Sequence, residues 1–157
     1  MEKGTATQSW KIMQVGVVVR DMDKAVKRLE SLGIGPFEAR LLPPDREEWY
    51  RGQPHKAKVK ISMAQVGDVQ LELIQPLEEK SVHGEFLDSK GEGIQHIMFS
   101  VKDFDKETAR LTEEGAVELL RAKFPGGPEL AYLDLNVGGI IIELVQQGIT
   151  VELVQQR

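Results

Sequence analysis

Hydrophobic and polar positions follow one pattern twice along this chain. Residues 14–33 (QVGVVVRDMDKAVKRLESLG) align without a gap with residues 96–115 (HIMFSVKDFDKETARLTEEG), at a constant offset of 82 residues (96 minus 14). Each copy opens with an alternating or apolar run, which is typical of a β-strand. An aspartate that can cap a helix follows, then apolar residues at helical spacing, and finally a glycine that can end the helix. We interpret the two copies as one duplicated strand–helix unit.

Further strands are predicted after each helix. They are residues 37–42, 57–66 and 69–75 in the first copy, and residues 117–122, 130–136 and 140–147 in the second. Gly67-Asp68, between two of these strands, is a dipeptide typical of a hairpin turn. The predicted fold class is therefore α+β, with two tandem βαβββ modules. The first module spans residues 11–76 and the second 94–147, with a linker at 77–93 that holds a short helix and a tail at 148–157.

Strand alternation places four polar side chains on one face of the predicted sheet. Gln14 and His96 are equivalent on the first strands, and Glu72 and Glu143 are equivalent on the last strands. The two glutamates are 71 residues apart (143 minus 72) rather than 82, and the 11 extra residues of the first module fit the segment 43–54. A lone histidine in a strand is usually a core residue and a lone glutamate usually faces water, but paired positions favour one shared site. Two carboxylates with an imidazole and an amide suit a divalent Zn, Ni, Co or Mn ion.

Composition narrows the functional classes. The chain of 157 residues is long enough for one ordinary domain. Its net charge of −5 provides no basic surface for nucleic acid. The absence of cysteine excludes disulfides, thiolate nucleophiles and sulfur-ligated metal sites. Because no apolar run reaches membrane-spanning length and residues 1–11 do not resemble a secretion signal, we expect a cytoplasmic protein without a membrane partner.

These motifs, in this order, resemble the vicinal oxygen chelate superfamily, which includes glyoxalase I, methylmalonyl-CoA epimerase, bleomycin-resistance proteins and extradiol dioxygenases. The resemblance covers residues 11–147 and rests on QVGVVVRDMDKAV, VGDVQLELIQPL, GEGIQHIMFSV and GGIIIELVQ. It implies a single domain over residues 1–157, in which both modules form one curved mixed sheet around a metal-binding cavity, with the helices outside. It also implies a homodimer.

The resemblance assigns the metal-ligand positions of the family to Gln14, Glu72, His96 and Glu143, a set similar to that of animal-type glyoxalase I. It implies a divalent-metal-dependent lyase or isomerase related to glyoxalase I (lactoylglutathione lyase), which promotes proton transfer next to a metal-bound carbonyl through an enediolate. Glu143 is the first candidate for the catalytic residue that moves the proton, and Glu72 is the second. The expected substrate is a small molecule, namely a 2-oxoaldehyde–thiol adduct, an acyl-thioester or a 2-oxoacid. Gln14 departs from the two-histidine, one-carboxylate iron site of extradiol dioxygenases, which argues against ring cleavage.

Two other functions stay open. The linker LIQPLEEKSVHGEFLDSKGEGIQHI is similar to that of the epimerase group, which favours a methylmalonyl-CoA epimerase-like racemase. The epimerase reaction uses a second carboxylate that is not a metal ligand, and counting along the strand puts this position near Lys56, where there is no acid. Glu47 and Glu48 are close to it in sequence only. The other alternative is a bleomycin-resistance-type protein that binds a small molecule without catalysis.

Weaker candidates lie on other predicted strands. Tyr132 and Asp134 share a strand face, so that they either line the cavity or pack as ordinary core residues. Lys58, Lys60 and Ser62 alternate along a strand, where they either meet an anionic substrate or form a solvated face.

Three segments stand outside the repeat. Residues 43–52 form either a lid with aromatic anchors or a loop packed on its own module. Residues 124–128 form a rigid turn near the cavity mouth. The tail repeats the ELVQQ motif at Glu152, which has no equivalent in the first module. We expect the tail to be an extra edge strand, a contact to another chain or a disordered end, without a role in metal binding.

Overall fold

The computed structural model describes residues 6–148, so Glu152 and the tail from residue 149 onward lie outside the described residues. Within this range an open, curved sheet of ten strands is combined with three α-helices, which confirms the predicted α+β class. The strands are β1 (Lys11–Val18), β2 (Glu38–Leu41), β3 (Glu47–Tyr50), β4 (Gln53–Pro54), β5 (Val59–Val66), β6 (Val69–Pro76), β7 (Gly93–Val101), β8 (Val117–Lys123), β9 (Glu129–Asp134) and β10 (Ile141–Gln146). The helices are α1 (Met22–Ser31), α2 (Val82–Lys90) and α3 (Phe104–Glu113), and a 3-10 helix (Ala6–Ser9) precedes β1. None of these helices is long and apolar enough to cross a membrane.

The sheet joins two halves through one pair of strands at its centre. The strand order is β2-β5-β6-β1-β7-β10-β9-β8-β3-β4, and β1 pairs antiparallel with β7. In each half the first strand pairs in parallel with the last strand, β1 with β6 and β7 with β10. The two halves thus repeat one arrangement, while the module boundaries at residues 11–76 and 94–147 stay a prediction.

The duplicated helices begin and end where the sequence motif predicts. The side chain of Asp21 accepts a hydrogen bond from the backbone N–H of Lys24 at 3.1 Å, and Asp103 accepts one from Lys106 at 3.0 Å. These bonds satisfy N–H groups that have no partner inside the helix. After α1 the chain turns at Gly33 with a φ of 82°, a conformation that favours glycine.

Strand alternation separates the two faces of the sheet as predicted. Val19 and Leu73 pack with Met22 of α1 on the outer face. Val18 and Ile74, their neighbours in sequence, belong to a different cluster on the inner face. The linker helix α2 differs from α1 and α3, because its Phe86 and Leu87 pack against that inner cluster.

The segment 43–52, predicted as a lid or as a loop on its own module, instead contains strand β3, which forms a hairpin with β4. Its strand β3 pairs antiparallel with β8, Glu47 opposite Lys123 and Tyr50 opposite Leu120. The first half of the chain thereby adds a strand to the outer edge of the second half. Periodicity did not predict β3, since it has only four residues and two of them are glutamates.

A buried ion pair holds this hairpin in position. Nε of Arg46 donates to the carboxylate of Glu48 at 2.8 Å, and the two side chains are 3% and 6% exposed. Arg46 also donates to the backbone carbonyls of Pro43 and Ala57, and the N–H of Ala57 donates to Glu48. A buried pair is tolerated when both partners are supported by such additional hydrogen bonds.

Replacing Arg46 by Met should lower the free energy of unfolding by about 3–5 kcal/mol, because Glu48 then stays buried without its charged partner. Arg51→Met is the matched control. Arg51 pairs with Glu85, but these side chains are 47% and 44% exposed, so its loss should cost about 1 kcal/mol or less. Urea unfolding followed by tryptophan fluorescence measures both variants. Equal losses would contradict the structural role of the buried pair.

Candidate metal centre

Three of the four predicted metal ligands converge on one buried point. Nε2 of His96 lies 2.9 Å from Oε2 of Glu143 and 3.6 Å from Oε2 of Glu72. Each residue offers a ligand atom within 4.8 Å of the other two. Their exposed fractions are 1% for His96, 3% for Glu143 and 7% for Glu72. Such deeply buried carboxylates need a cationic partner or a proton.

Gln14, the fourth predicted ligand, lines the same cavity and is 1% exposed. Its side-chain nitrogen donates to Oε1 of Gln70 at 3.3 Å and contacts Sδ of Met63 at 3.6 Å. Because the nitrogen is engaged in these contacts, the amide oxygen of Gln14 is the atom left to bind a cation.

The register of three strands explains why these side chains meet. Gly16 of β1 lies opposite Glu72 of β6 and also opposite His96 of β7. A Cβ atom at position 16 would lie 2.1 Å from Cε1 of His96. The glycine therefore provides the space that the imidazole ring fills. A glycine inside a strand is a known sign of such a close approach, and in β1 that glycine is Gly16.

Gln95 fixes the tautomer of His96. The nitrogen of the Gln95 amide donates to the carbonyl oxygen of Val82 at 3.1 Å. Its oxygen Oε1 faces Nδ1 of His96 at 3.2 Å and Nδ1 of His83 at 2.9 Å. Since an amide oxygen only accepts, this network assigns a proton to Nδ1 of both rings. Nε2 of neutral His96 is therefore the lone-pair nitrogen, as metal ligation requires.

Two buried atoms of the cluster have no hydrogen-bond partner among the described residues, namely Nε2 of His96 and Oε2 of Glu143. They are 2.9 Å apart. Because both present lone pairs, they repel each other unless a proton or a metal ion lies between them. One imidazole nitrogen and several carboxylate oxygens form a donor set that fits Zn, Ni, Co or Mn. The residues present thus fit a divalent ion.

The electrostatics of the cluster also favour a cation. Burial raises the pKa of Glu72 to about 8, and the charge of Glu143 acts in the same direction, against His96 and Arg40. Burial lowers the pKa of His96, but the contact with Glu143 and the charges of Glu143 and Glu72 outweigh it, so the pKa of His96 is raised on balance. Without a metal the cluster therefore retains protons that a divalent ion would replace.

The cavity around the cluster has a volume of about 60 Å³. Binding sites for whole small molecules are usually about 300–1,000 Å³, so this cavity is too small to enclose a whole molecule of that kind. Tyr132 lines it, as one of the two readings predicted, and Phe124 of the predicted turn also contributes. Asp134 is not among the lining residues.

Lys58, Lys60 and Ser62, predicted either to meet an anionic substrate or to form a solvated face, do not line the cavity. Lys60 instead forms an ion pair with Asp23 at 3.3 Å. Lys58 is exposed and Ser62 is buried in the sheet.

Three ionisable cavity residues were missed by sequence reasoning or could not be positioned by it: Arg46, Glu48 and His83. Arg46 and Glu48 come from the β3 hairpin, and His83 comes from the first turn of α2. All three lie in segments that are not duplicated. The repeat, which located the metal ligands, therefore contains no information about them.

Comparison with known proteins agrees with this geometry. The sequence model of a family described as Glyoxalase/Bleomycin resistance protein/Dioxygenase superfamily matches residues 13–133. The uncharacterized protein YqjC of Bacillus subtilis (strain 168) is 27% identical, over 77% of this chain and 93% of that protein.

Solved structures with the same fold include two epimerases. The methylmalonyl-CoA epimerase of Mycobacterium tuberculosis is 26% identical, with a TM-score of 0.64 and 86% of each chain covered. A variant of the Streptomyces coelicolor methylmalonyl-CoA epimerase, in complex with 2-nitronate-propionyl-CoA, is 24% identical, with a TM-score of 0.66 over 88% of this chain and 97% of that chain. The match over residues 13–133 spans most of both halves of the sheet. This chain therefore belongs to the glyoxalase/bleomycin resistance protein/dioxygenase superfamily, the vicinal oxygen chelate proteins that its repeated motifs resemble.

Proposed function

We propose that this protein is a divalent-metal-dependent isomerase that moves a proton at the carbon next to a substrate carbonyl group. The observation that carries the proposal is the convergence of Nε2 of His96 with the buried carboxylates of Glu143 and Glu72, at 2.9 and 3.6 Å, at one cavity. When bound there, a Zn, Ni, Co or Mn ion supplies Lewis-acid polarisation of the carbonyl, which acidifies the adjacent C–H group. Glu72, His96 and Glu143 would hold the ion, with the amide oxygen of Gln14 as the fourth ligand.

Glu143 is the first candidate for the residue that moves the proton, and Glu72 is the second. Glu143 lies opposite Tyr132 across the strand pair β10–β9, and both residues line the cavity. The neighbouring ring is kept as a neutral phenol, because burial and then the charges of Glu143 and Glu72 raise the pKa of Tyr132 well above its usual value. Burial raises the pKa of Glu72 to about 8, which makes this second candidate a stronger base than an exposed carboxylate.

The first candidate reaction is epimerisation of a 2-substituted acyl-thioester. Inverting a carbon centre by two bases requires one group to remove the proton and another to return it from the other side. Counting along the sequence found no acid at Lys56, whereas Glu48 lines the cavity together with Glu143 and is a second carboxylate for this role. The likeness to the methylmalonyl-CoA epimerase of Mycobacterium tuberculosis, at 26% identity, supports an acyl-thioester substrate.

The second candidate reaction is a glyoxalase I-type conversion of a 2-oxoaldehyde–thiol adduct. It moves a proton between neighbouring carbons, and one carboxylate is sufficient for that transfer. An amide at the first ligand position, Gln14, favours this reaction by its similarity to animal-type glyoxalase I. A homodimer and a cytoplasmic location stay predictions for either reaction.

Metal content is the first test. Protein purified without chelator should hold about one divalent ion per chain, measured by plasma mass spectrometry. His96→Ala and Glu143→Gln should lose most of it, because each removes a ligand atom from the cluster. His55→Ala is the matched control, since His55 is half-buried, contacts the backbone of Lys80 and does not line the cavity. Metal content that is unchanged in the two ligand variants would refute the site.

The metal-free protein should lose stability as the pH rises from about 6.5 to about 8. The pKa of Glu72 is about 8 in the folded chain against an ordinary 4.5, so in this window only the folded state carries that proton. The folded state then binds more protons than the unfolded state, and rising pH favours unfolding by up to about 1.4 kcal/mol per pH unit. The raised pKa of His96 acts in the same direction. Below pH 6.5 His83 opposes the trend, because burial lowers its pKa to about 3.

Urea unfolding of the metal-free protein at several pH values measures this slope. Glu72→Gln should flatten it, whereas Glu113→Gln, on the exposed face of α3, should leave it unchanged. Metal affinity should rise over the same pH range, because a bound ion displaces the proton of Glu72. A slope that persists in Glu72→Gln would contradict the assignment of this proton.

Solvent exchange separates the two reactions. In deuterated water the metal-loaded protein should incorporate deuterium next to the carbonyl of methylmalonyl-CoA, and Glu143→Gln should slow this about 10²- to 10⁴-fold. Glu48→Gln should abolish inversion while exchange on one face persists. If only the adduct of methylglyoxal and glutathione turns over, the glyoxalase-type reaction is favoured. Tight binding of these compounds with no exchange or turnover would indicate a binding protein instead.

A further inference from the structure

His83 is a buried histidine that the proposed proton transfer does not use. It lies in the first turn of α2 and is 6% exposed. Ser81 caps this helix by accepting a hydrogen bond from the N–H of Gly84 at 2.8 Å. A Cβ atom at Gly84 would lie 2.2 Å from the carbonyl oxygen of Glu79, so the helix start packs tightly on the preceding turn. The backbone that carries His83 is therefore firmly held.

The surroundings of the ring determine which of its nitrogen atoms is available. Nδ1 lies 2.9 Å from the amide oxygen of Gln95, whose own nitrogen is engaged with Val82, so Nδ1 carries the proton. The ring edge packs against Tyr132 at 5.7 Å between centroids, with an interplanar angle of 77°. Nε2 is consequently the lone-pair nitrogen of a neutral ring. Burial, and next the neighbouring His96, lower the pKa of His83 to about 3, which agrees with this state.

His83 borders the free space of the cavity. His83 is a lining residue, and no donor among the described residues lies within hydrogen-bond distance of its Nε2. The atom is also not one of the sealed, unpartnered atoms, in contrast to Nε2 of His96. A molecule that enters the cavity can therefore reach it. A buried acceptor of this kind favours a ligand that carries a matching hydrogen-bond donor, because an acceptor left without a donor is unfavourable.

The carboxylates cannot take over this role. Glu72 and Glu143 belong to the candidate metal site, and Glu48 is the anionic partner of Arg46 that the proposed epimerisation uses to return the proton. His83 is thus an uncharged acceptor beside a group of anionic ones. An uncharged acceptor suits a neutral hydroxyl or N–H donor. A charged carboxylate prefers a cation and does not discriminate in favour of such a neutral donor.

We propose that His83 is a substrate-binding residue whose Nε2 accepts a hydrogen bond from a hydroxyl or N–H group carried next to the substrate carbonyl. This inference rests on the proposed function, since the donor and the carbonyl belong to one molecule. The preferred substrate is then a 2-hydroxyacyl compound or another carbonyl compound with a neighbouring hydrogen-bond donor. An analogue with a methyl group in place of that donor should bind less well.

Two hydroxamates test the inference without any turnover. Acetohydroxamate and N-methylacetohydroxamate both chelate a divalent ion through two oxygen atoms, but only the first has an N–H donor. Calorimetric titration of the Ni-loaded protein gives the ratio of their affinities. We expect His83→Phe to reduce the preference for acetohydroxamate by about two- to tenfold relative to the natural chain. His83→Gln retains an acceptor and should restore part of the preference, and His55→Phe, outside the cavity, should not change it.

Nitrogen NMR of the natural protein provides a second measurement that does not depend on variants. Nε2 of His83 should have the shift of an unprotonated nitrogen, and acetohydroxamate should move that shift while the N-methyl compound does not. An unchanged affinity ratio in His83→Phe, or a proton on Nε2, would overturn the role of His83 alone. If neither hydroxamate binds the Ni-loaded protein, or Ni itself does not bind, this inference and the proposed function both fail.

Discussion

The antiparallel pairing of β1 with β7 joins the two halves of the sheet, and it brings Gly16 opposite His96. Any side chain at position 16 would occupy the volume of the imidazole, since its Cβ would lie 2.1 Å from Cε1. The same glycine lies opposite Glu72 on the other side. The absence of a side chain at Gly16 therefore lets Glu72 of the first half and His96 of the second half approach one point. The candidate metal site, the cavity and the proposed chemistry all depend on this close contact between β1 and His96.

Burial changes both the basicity of the clustered side chains and the stability of the fold. A carboxylate at the surface would be a weak base, whereas burial raises the pKa of Glu72 to about 8. The cost is an unfavourable group of acceptors, of which Nε2 of His96 and Oε2 of Glu143 have no partner among residues 6–148. Gln95 holds a proton of His96 on Nδ1, which leaves Nε2 as the ring nitrogen that faces Glu143. On the proposed function, a divalent ion removes this cost, and folding prepares the ligands before it binds.

The repeated part of the sequence predicted the fold class, both capping aspartates and the four positions Gln14, Glu72, His96 and Glu143. It was sufficient because strand alternation and helix capping are local properties, and because two copies exclude coincidence. The β3 hairpin was not predicted, since a four-residue strand with two glutamates has no clear periodicity. The pairing of β3 with β8 is a long-range contact, for which one sequence contains no signal. His83 was missed for the same reason, because only the folded chain brings the linker helix close to Glu72, His96 and Glu143.

The division between repeated and unrepeated segments also has a functional consequence. The duplicated strands provide the candidate metal ligands, whereas the β3 hairpin provides Arg46 and Glu48 and the linker helix provides His83. On the proposed function, chemistry at the carbonyl belongs to the symmetric part and substrate contacts belong to the asymmetric part. Gln95 connects the two, because one amide oxygen accepts hydrogen bonds from both His96 and His83. A change at Gln95 would therefore affect the metal ligand and the substrate contact together, although it touches neither the metal position nor the substrate.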